Sequence, residues 1–388
     1  MRFLSTAVLA ASLGLALFAA PLAAEQLPDG LYADFITPHG VITAELYYPQ
    51  APLTCANFTG LAEGTLAPKN GQPFYTGLTF YRVVPGFVIQ SGNPGLKDTD
   101  DEKVPSPHHF ADEFVPGLRH DAAGILSMAN AGPDTNSCEF FLTLAPTDRL
   151  NYLHSVFGRV VRGLAILPLI KPNEAFTIKI QRVGPAAQAF KNDRATFQAL
   201  AAAAKKYSGA SAPGPTAPFD DPAHLLPQEI PRAKNFNFKL ANFERVTGLK
   251  IVARLLAKSP SAAEDNAPGA FMQALAQQLG TAQRGAVAAY FADEDDWRIW
   301  IGTESTPAFF GSPPTQAERK PDGAFHQQKE IFLAQAAAAG DAAFAQQKIN
   351  APADQPPPPA QHLKLRTDAL LDSLIFKLEP KIKLPAQQ

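Results

Sequence analysis

Between Leu31 and Val183 glycine and proline break the chain into short apolar runs, and that punctuation restricts it to small strands joined by tight turns. Leu31 to Ile36 alternates, Thr37-Pro38-His39-Gly40 turns the chain, and Val41 to Tyr47 returns, which predicts a hairpin. Strand-like runs follow at Leu78 to Val84, Val88 to Ser91, Ile125 to Met128, Phe140 to Leu144, Val156 to Val161 and Phe176 to Gln181. Ala51 to Leu61 carries an early proline and helical spacing, and Leu164 to Ile170 reads as a second short helix. Eight short strands with two helices predict a closed or nearly closed antiparallel barrel.

The barrel accounts for less than half of the 388 residues, so further units are expected. Proline, at 36 residues, is about twice its usual share and must concentrate in loops and linkers. Phe190 to Tyr207 is an Ala-rich helical stretch, and six of the nineteen residues from Pro213 to Pro231 are proline, which predicts a semi-rigid linker. From Asn235 the order is helix to Val246, strand at Leu249 to Leu256, helix at Ala267 to Leu279, and strands at Gly285 to Phe291 and Trp297 to Ile301. That order predicts an α/β sandwich. Ala-rich helices follow at Ala324 to Lys348 and His362 to Lys377, separated by Pro356-Pro357-Pro358-Pro359. The division expected is 1–24 leader, 25–188 barrel, 189–234 helix and linker, and 235–388 α/β domain with added helices.

Only 18% of residues are charged and the formal net charge is -2, which gives no electrostatic footprint for nucleic acid or an anionic membrane surface. Arg2, the apolar run Leu4 to Ala20 and the small residues before Glu25 form a secretory signal pattern with cleavage expected after Ala24. No other stretch approaches the roughly 20 apolar residues that span a bilayer. An exported, soluble protein is the expectation, periplasmic in a Gram-negative cell. Cys55 and Cys138 are too few for a Cys-rich zinc site; one disulfide and two buried thiols both remain open. His108-His109 reads as a pair of loop histidines rather than metal ligands. Asp293 to Asp296 lacks the spacing of a calcium loop and reads as a solvated hairpin turn.

Four segments carry the chemistry: Phe80-Tyr81-Arg82-Val83-Val84-Pro85-Gly86-Phe87-Val88-Ile89-Gln90-Ser91-Gly92, Gly124 to Pro133, Phe140-Phe141-Leu142, and Leu150 to Gly158. In order and spacing they resemble the cyclophilin family of peptidyl-prolyl cis-trans isomerases, from about Gly30 to Val183. The resemblance implies an eight-stranded antiparallel barrel capped by two helices, with a peptide groove on its outer face. It implies Arg82 as the catalytic arginine and Gln90 as its orienting partner. Phe87, Val88, Phe141 and Leu150 would line a proline pocket with His154 at the rim, and Ala129 and Asn130 would pair with the substrate main chain. The substrates implied are unfolded or flexible polypeptides with X-Pro bonds. Rotation about such a bond breaks no covalent link, so no metal or cofactor is called for. A peptide-binding scaffold without significant catalysis is the alternative, and Arg82 with Gln90 argues against it, because simple binding does not require that guanidinium.

The chain departs from the family pattern at several places. Arg149 stands where many relatives carry a tryptophan that bonds cyclosporin, so weak cyclosporin binding is expected. Glu139 replaces a glutamine and is expected to pair with Arg149 or to disfavour acidic substrates. Val88 replaces a methionine, and Asn151-Tyr152-Leu153 replaces an Asp-Gly-Lys turn. In the second unit, Phe243 to Val252 followed by the Asp-rich hairpin faintly resembles the TPM domain.

Overall fold

The computed structural model describes residues 26–66, 72–94, 108–227, 232–352 and 354–382. The expected leader, 1–24, lies outside them. Among the described residues the first half forms eight strands: β1 (Gly30–Thr37), β2 (Gly40–Leu46), β3 (Arg82–Val84), β4 (Val88–Ser91), β5 (Ile125–Met128), β6 (Phe140–Thr143), β7 (Val156–Arg162) and β8 (Thr177–Val183). They form one antiparallel sheet in the order β3-β4-β6-β5-β7-β2-β1-β8. Gly40, at φ 126°, closes the β1–β2 turn with a backbone that L side chains rarely adopt.

The predicted strand Leu78 to Val84 is shorter than expected, because its first half closes the barrel instead. Thr79 bridges Ala175 in antiparallel fashion, the Phe80 N–H donates to the Glu174 carbonyl at 3.0 Å, and the Asn173 N–H donates to the Phe80 carbonyl at 2.8 Å. The two outer strands of the curled sheet thus meet through the segments that precede β3 and β8.

Strand alternation sends Leu31, Ala33 and Phe35 inward with Ile89, Phe140, Leu142 and Phe157. Helix α1 (Pro52–Glu63) plugs the barrel. Proline occupies its first turn, where the missing N–H costs nothing, and Gly64 ends it in the left-handed region. Phe58 of α1 lies 5.2–6.2 Å from the rings of Phe35, Phe140 and Phe157. The helix expected at Leu164 to Ile170 is instead a 3-10 turn over Leu164–Leu169, with Pro168 inside it lacking an amide donor. After the short α2 (Gly184–Ala189), α3 (Arg194–Ala203) lies beside α1, capped by the Asp193 carboxylate on the Thr196 N–H at 2.8 Å, and buries Phe197 in the barrel core. Both cysteines are free and buried.

The second half contains β9 (Phe219–Asp220), α4 (Arg232–Thr247), β10 (Lys250–Leu256), α5 (Ala270–Gln278), β11 (Gly285–Phe291), β12 (Asp296–Ile301), α6 (Thr306–Phe310), α7 (Ala324–Asn350) and α8 (Pro359–Leu378). The sheet order is β12-β11-β10-β9, with β9, β10 and β11 parallel and β12 antiparallel. Val252, Val287, Ala289 and Phe291 face Met272 and Ala276 of α5. The opposite face, with Ile251, Ala253 and Leu255, packs against Leu240 and Phe243 of α4 and Leu371 and Leu374 of α8. Part of the proline-rich stretch read as a linker is therefore an edge strand: Phe219 pairs with Ala253 and is fully buried. Its apolar side chain outweighs the surrounding prolines, which are tolerated at a sheet edge.

Candidate active site

Pairing register brings the site residues into one row. Arg82 faces Gln90 across β3–β4, Gln90 faces Phe141 across β4–β6, and Phe141 faces Ser127 across β5–β6. Side chains two apart share a face, so Val88 joins Gln90 outside the barrel while Ile89 points into it. Phe87 sits on the β3–β4 turn, where Gly86 has φ 69° and the Phe87 N–H donates to the Val84 carbonyl at 3.0 Å.

Arg82 is exposed, and its Nη1 donates to Gln90 Oε1 at 3.0 Å. Gln90 Nε2 donates to Glu139 Oε2 at 2.9 Å, the Tyr81 hydroxyl donates to the same oxygen at 2.5 Å, and Asn93 Nδ2 donates to Glu139 Oε1 at 3.0 Å. The expected Glu139–Arg149 pair is thus replaced: the carboxylate serves Tyr81, Gln90 and Asn93, while the Arg149 guanidinium lies 4.4 Å from the Phe87 ring centre. The Arg82 guanidinium lies 5.8 Å from that same ring. Burial beside Glu139 raises the Tyr81 pKa, so its hydroxyl stays a donor.

Phe141 is buried on the outer face, with the His154 ring 5.6 Å away and nearly perpendicular. His154 Nδ1 lies 3.0 Å from the Met128 carbonyl, which can only accept, so Nδ1 carries the proton. Burial depresses His154 to about 4, which leaves the ring neutral at neutral pH. Leu150 ends a 3-10 turn over Asp148–Leu150, and its carbonyl accepts from the His154 N–H at 3.2 Å. The Ala129 N–H donates to the Glu139 carbonyl at 3.0 Å. Asn130 Nδ2 donates to the Leu153 carbonyl at 2.9 Å, so this side chain holds the loop that carries Leu150 and His154.

Two further residues belong to this arrangement that the sequence reading did not single out. His120 stacks on Phe141 at 5.8 Å, lies within hydrogen-bond distance of Asn151 Oδ1 and Ser127 Oγ, and is depressed to about 3 by burial. Tyr81 precedes β3 yet reaches the Glu139 carboxylate across the sheet. Its adjacency to Arg82 was the one available hint. Elsewhere, His108 Nε2 bonds Asn57 Oδ1 at 2.5 Å and Asp293 accepts from the Ser259 N–H at 2.8 Å. Each is accounted for by local hydrogen bonding.

Taken together, a guanidinium held by an amide stands 5.8 Å from the Phe87 ring, on a strand row that also carries Gln90 and Phe141. Such a pairing can grip a saturated ring and offer a hydrogen bond to an atom beside it.

The family model described as "Cyclophilin type peptidyl-prolyl cis-trans isomerase/CLD" matches residues 32–184. Peptidyl-prolyl cis-trans isomerase-like 1 of Aspergillus fumigatus is 41% identical over 142 residues, which is 36% of this chain and 83% of that protein. Peptidyl-prolyl cis-trans isomerase ppi1 of Schizosaccharomyces pombe is 49% identical over 127 residues, 33% of this chain and 76% of that one. A cyclophilin type isomerase of Cryptosporidium parvum, solved in the presence of the dipeptide ala-pro, is 30% identical with a TM-score of 0.34, covering 40% of this chain and 99% of its own.

Proposed function

This chain belongs to the cyclophilin-type peptidyl-prolyl cis-trans isomerase family, and from that premise we propose that Arg82 drives X-Pro rotation at a hollow formed by Phe87, Val88, Phe141, Leu150 and His154. The barrier to rotation, roughly 18–20 kcal/mol for a peptide bond, comes from amide resonance. As the bond twists, the prolyl nitrogen recovers its lone pair and can accept a hydrogen bond. A guanidinium placed there stabilises the twisted state more than either planar one, which is the condition for acceleration. The observation that carries this reading is the Arg82–Gln90 hydrogen bond on a row shared with Phe141.

Each group has a part. Phe141 and Leu150 grip the ring, and the neutral His154 closes the rim without adding to the positive charge that Arg82 and Arg149 already bring to the Phe87 ring. The Ala129 carbonyl and main-chain groups of Asn130 hold the substrate in extended form, since the Ala129 N–H is engaged with Glu139 and the Asn130 side chain with Leu153. A charge-assisted hydrogen bond contributes about 1.5–3 kcal/mol, so positioning and desolvation supply the remainder of any large acceleration.

The substrates proposed are flexible X-Pro segments of exported proteins, and the chain's own role is to assist their folding outside the cytoplasm. Support for export is the N-terminal sequence, Arg2 followed by the apolar run to Ala20 and the small residues up to Ala24. Fusing residues 1–30 to a reporter tests this: export with cleavage after Ala24 is expected, and retention of the full-length fusion inside the cell contradicts it. A coupled assay of proline isomerisation on a short X-Pro peptide tests the activity, and a full-length protein that binds the peptide without accelerating it would move the reading to a scaffold.

A further inference from the structure

The loop between Leu150 and His154 belongs to both halves of the molecule. Tyr152 has φ 61°, a left-handed backbone that disfavours any side chain and suits glycine. A barrel on its own would be served better by a residue without Cβ at this position. The tyrosine ring instead leaves the barrel and enters the second core. It lies 5.3 Å from Phe243 of α4 at 89° and 5.9 Å from Phe114 at 47°, and it is buried.

Two hydrogen bonds fix the same loop. The Tyr152 hydroxyl donates to Glu379, the residue after α8, and that carboxylate also accepts from Arg119 Nε at 3.1 Å. Asn242 Nδ2 of α4 donates to the Tyr152 carbonyl at 3.0 Å. Asn242 and Glu379 are both buried. Beside this grip, Arg149, Leu150 and Leu153 form one wall of a cavity of about 260 Å³ whose other wall is α4 and α8. So the two helices bear on the segment that carries Leu150 and His154.

We propose that the C-terminal unit is a working part of the isomerase site, and that Tyr152 is the positioning residue through which α4 and the end of α8 set Leu150 and His154. The inference rests on the reading of those two residues as part of the proline hollow. It gives a strained backbone and a cross-domain anchor one common reason: the strain is tolerated because the anchor locks the hollow's far wall.

The test uses the full chain with Tyr152→Gly, Tyr152→Phe and Glu379→Leu, reading kcat and KM on an X-Pro peptide and the His154 ring signals by NMR. Tyr152→Gly relieves the backbone strain and removes the anchor, so a purely structural account predicts no loss of activity. Our account predicts a fall in kcat/KM of about tenfold or more, carried mainly by KM, with shifted or broadened His154 signals. Tyr152→Phe keeps the ring but loses the hydroxyl's bond to Glu379, so its kcat/KM should fall between those of Tyr152→Gly and the parent. Should Tyr152→Gly fail to fold, Glu379→Leu, which cannot accept the Tyr152 hydroxyl, decides: raised KM with shifted His154 signals supports the proposal, and unchanged values overturn it. A folded Tyr152→Gly with parental kcat, KM and His154 signals likewise overturns it. An inactive parent protein would instead refute the isomerase reading, and the His154 signals would still decide the positioning claim.

Discussion

The Glu139 carboxylate decides which way the Gln90 amide faces. A carboxylate only accepts, so Gln90 must turn its Nε2 toward Glu139, at 2.9 Å, and its Oε1 toward Arg82, at 3.0 Å. Tyr81 and Asn93 hold the carboxylate from two further sides. The chain Glu139–Gln90–Arg82 therefore aims the guanidinium from a fixed base, and the acid that departs from the family pattern serves as that base.

Replacing Glu139 with leucine should lower kcat by about tenfold, with KM nearly unchanged, because Arg82 loses its orientation rather than its charge. Glu139→Gln, which can still accept a hydrogen bond but no longer dictates one amide orientation, should cost about threefold or less. Steady-state kinetics on one X-Pro peptide check both; a leucine variant with parental kcat would contradict the relay.

His154 gives a pH prediction. Its pKa is depressed to about 4 by burial, so the ring carries no charge through the physiological range. The pH profile of kcat/KM should be flat from about pH 6 to 8 and fall only near pH 4. A step near pH 6.5 that disappears in His154→Gln would contradict this. Stability follows the same sign. His154 and His120, at about 4 and about 3, both bind protons more readily in the unfolded chain, so their contribution is full above about pH 6.5 and declines as pH falls toward those values.

How much of this was legible in the sequence varies by scale. The hairpin Leu31 to Tyr47 and strands such as Val88 to Ser91 follow from alternation and turn residues, and the structure keeps them. Leu164 to Ile170 failed because Pro168 removes a donor that periodicity does not weigh. Phe219 failed for the opposite reason, since one large buried ring recruits a proline-rich stretch into a sheet. At the site, the Arg82–Gln90 pair follows from their spacing around a tight turn. The Glu139 contacts and the Tyr152 anchor depend on neighbours 46 to 227 positions away, and no local pattern encodes those.

The Arg149 guanidinium lies 4.4 Å from the Phe87 ring, and the family resemblance puts this residue where many relatives carry a tryptophan that bonds cyclosporin. Arg149→Trp should tighten cyclosporin inhibition by about tenfold, the value of one net hydrogen bond, while the parent is inhibited weakly. Parental inhibition at micromolar or lower drug, or no gain in the variant, would show that this position does not control the drug.

In the second half, Lys239 is 1% exposed and its Nζ lies 2.5 Å from Asp372. Burial nonetheless lifts Asp372 to about 7, against the pull of Lys239. The folded chain therefore holds this proton more tightly than the unfolded one. The stabilisation is full below the ordinary carboxylate range and is lost as pH rises toward 7. Above pH 7, where Asp372 is ionised, Lys239→Ala should cost about 3–5 kcal/mol in urea unfolding, and Lys239→Met with Asp372→Leu should recover most of it. A single variant within about 1 kcal/mol of the parent would contradict a tightly buried pair.

The most direct test of the central claim compares Arg82→Ala with the parent chain by two readouts on one X-Pro peptide: kcat in the coupled isomerisation assay, and peptide affinity by calorimetry. If the guanidinium acts on the twisted bond, kcat falls by about a hundredfold while Kd changes by about threefold or less. Equal kcat in the two proteins, or a loss confined to affinity, would contradict it.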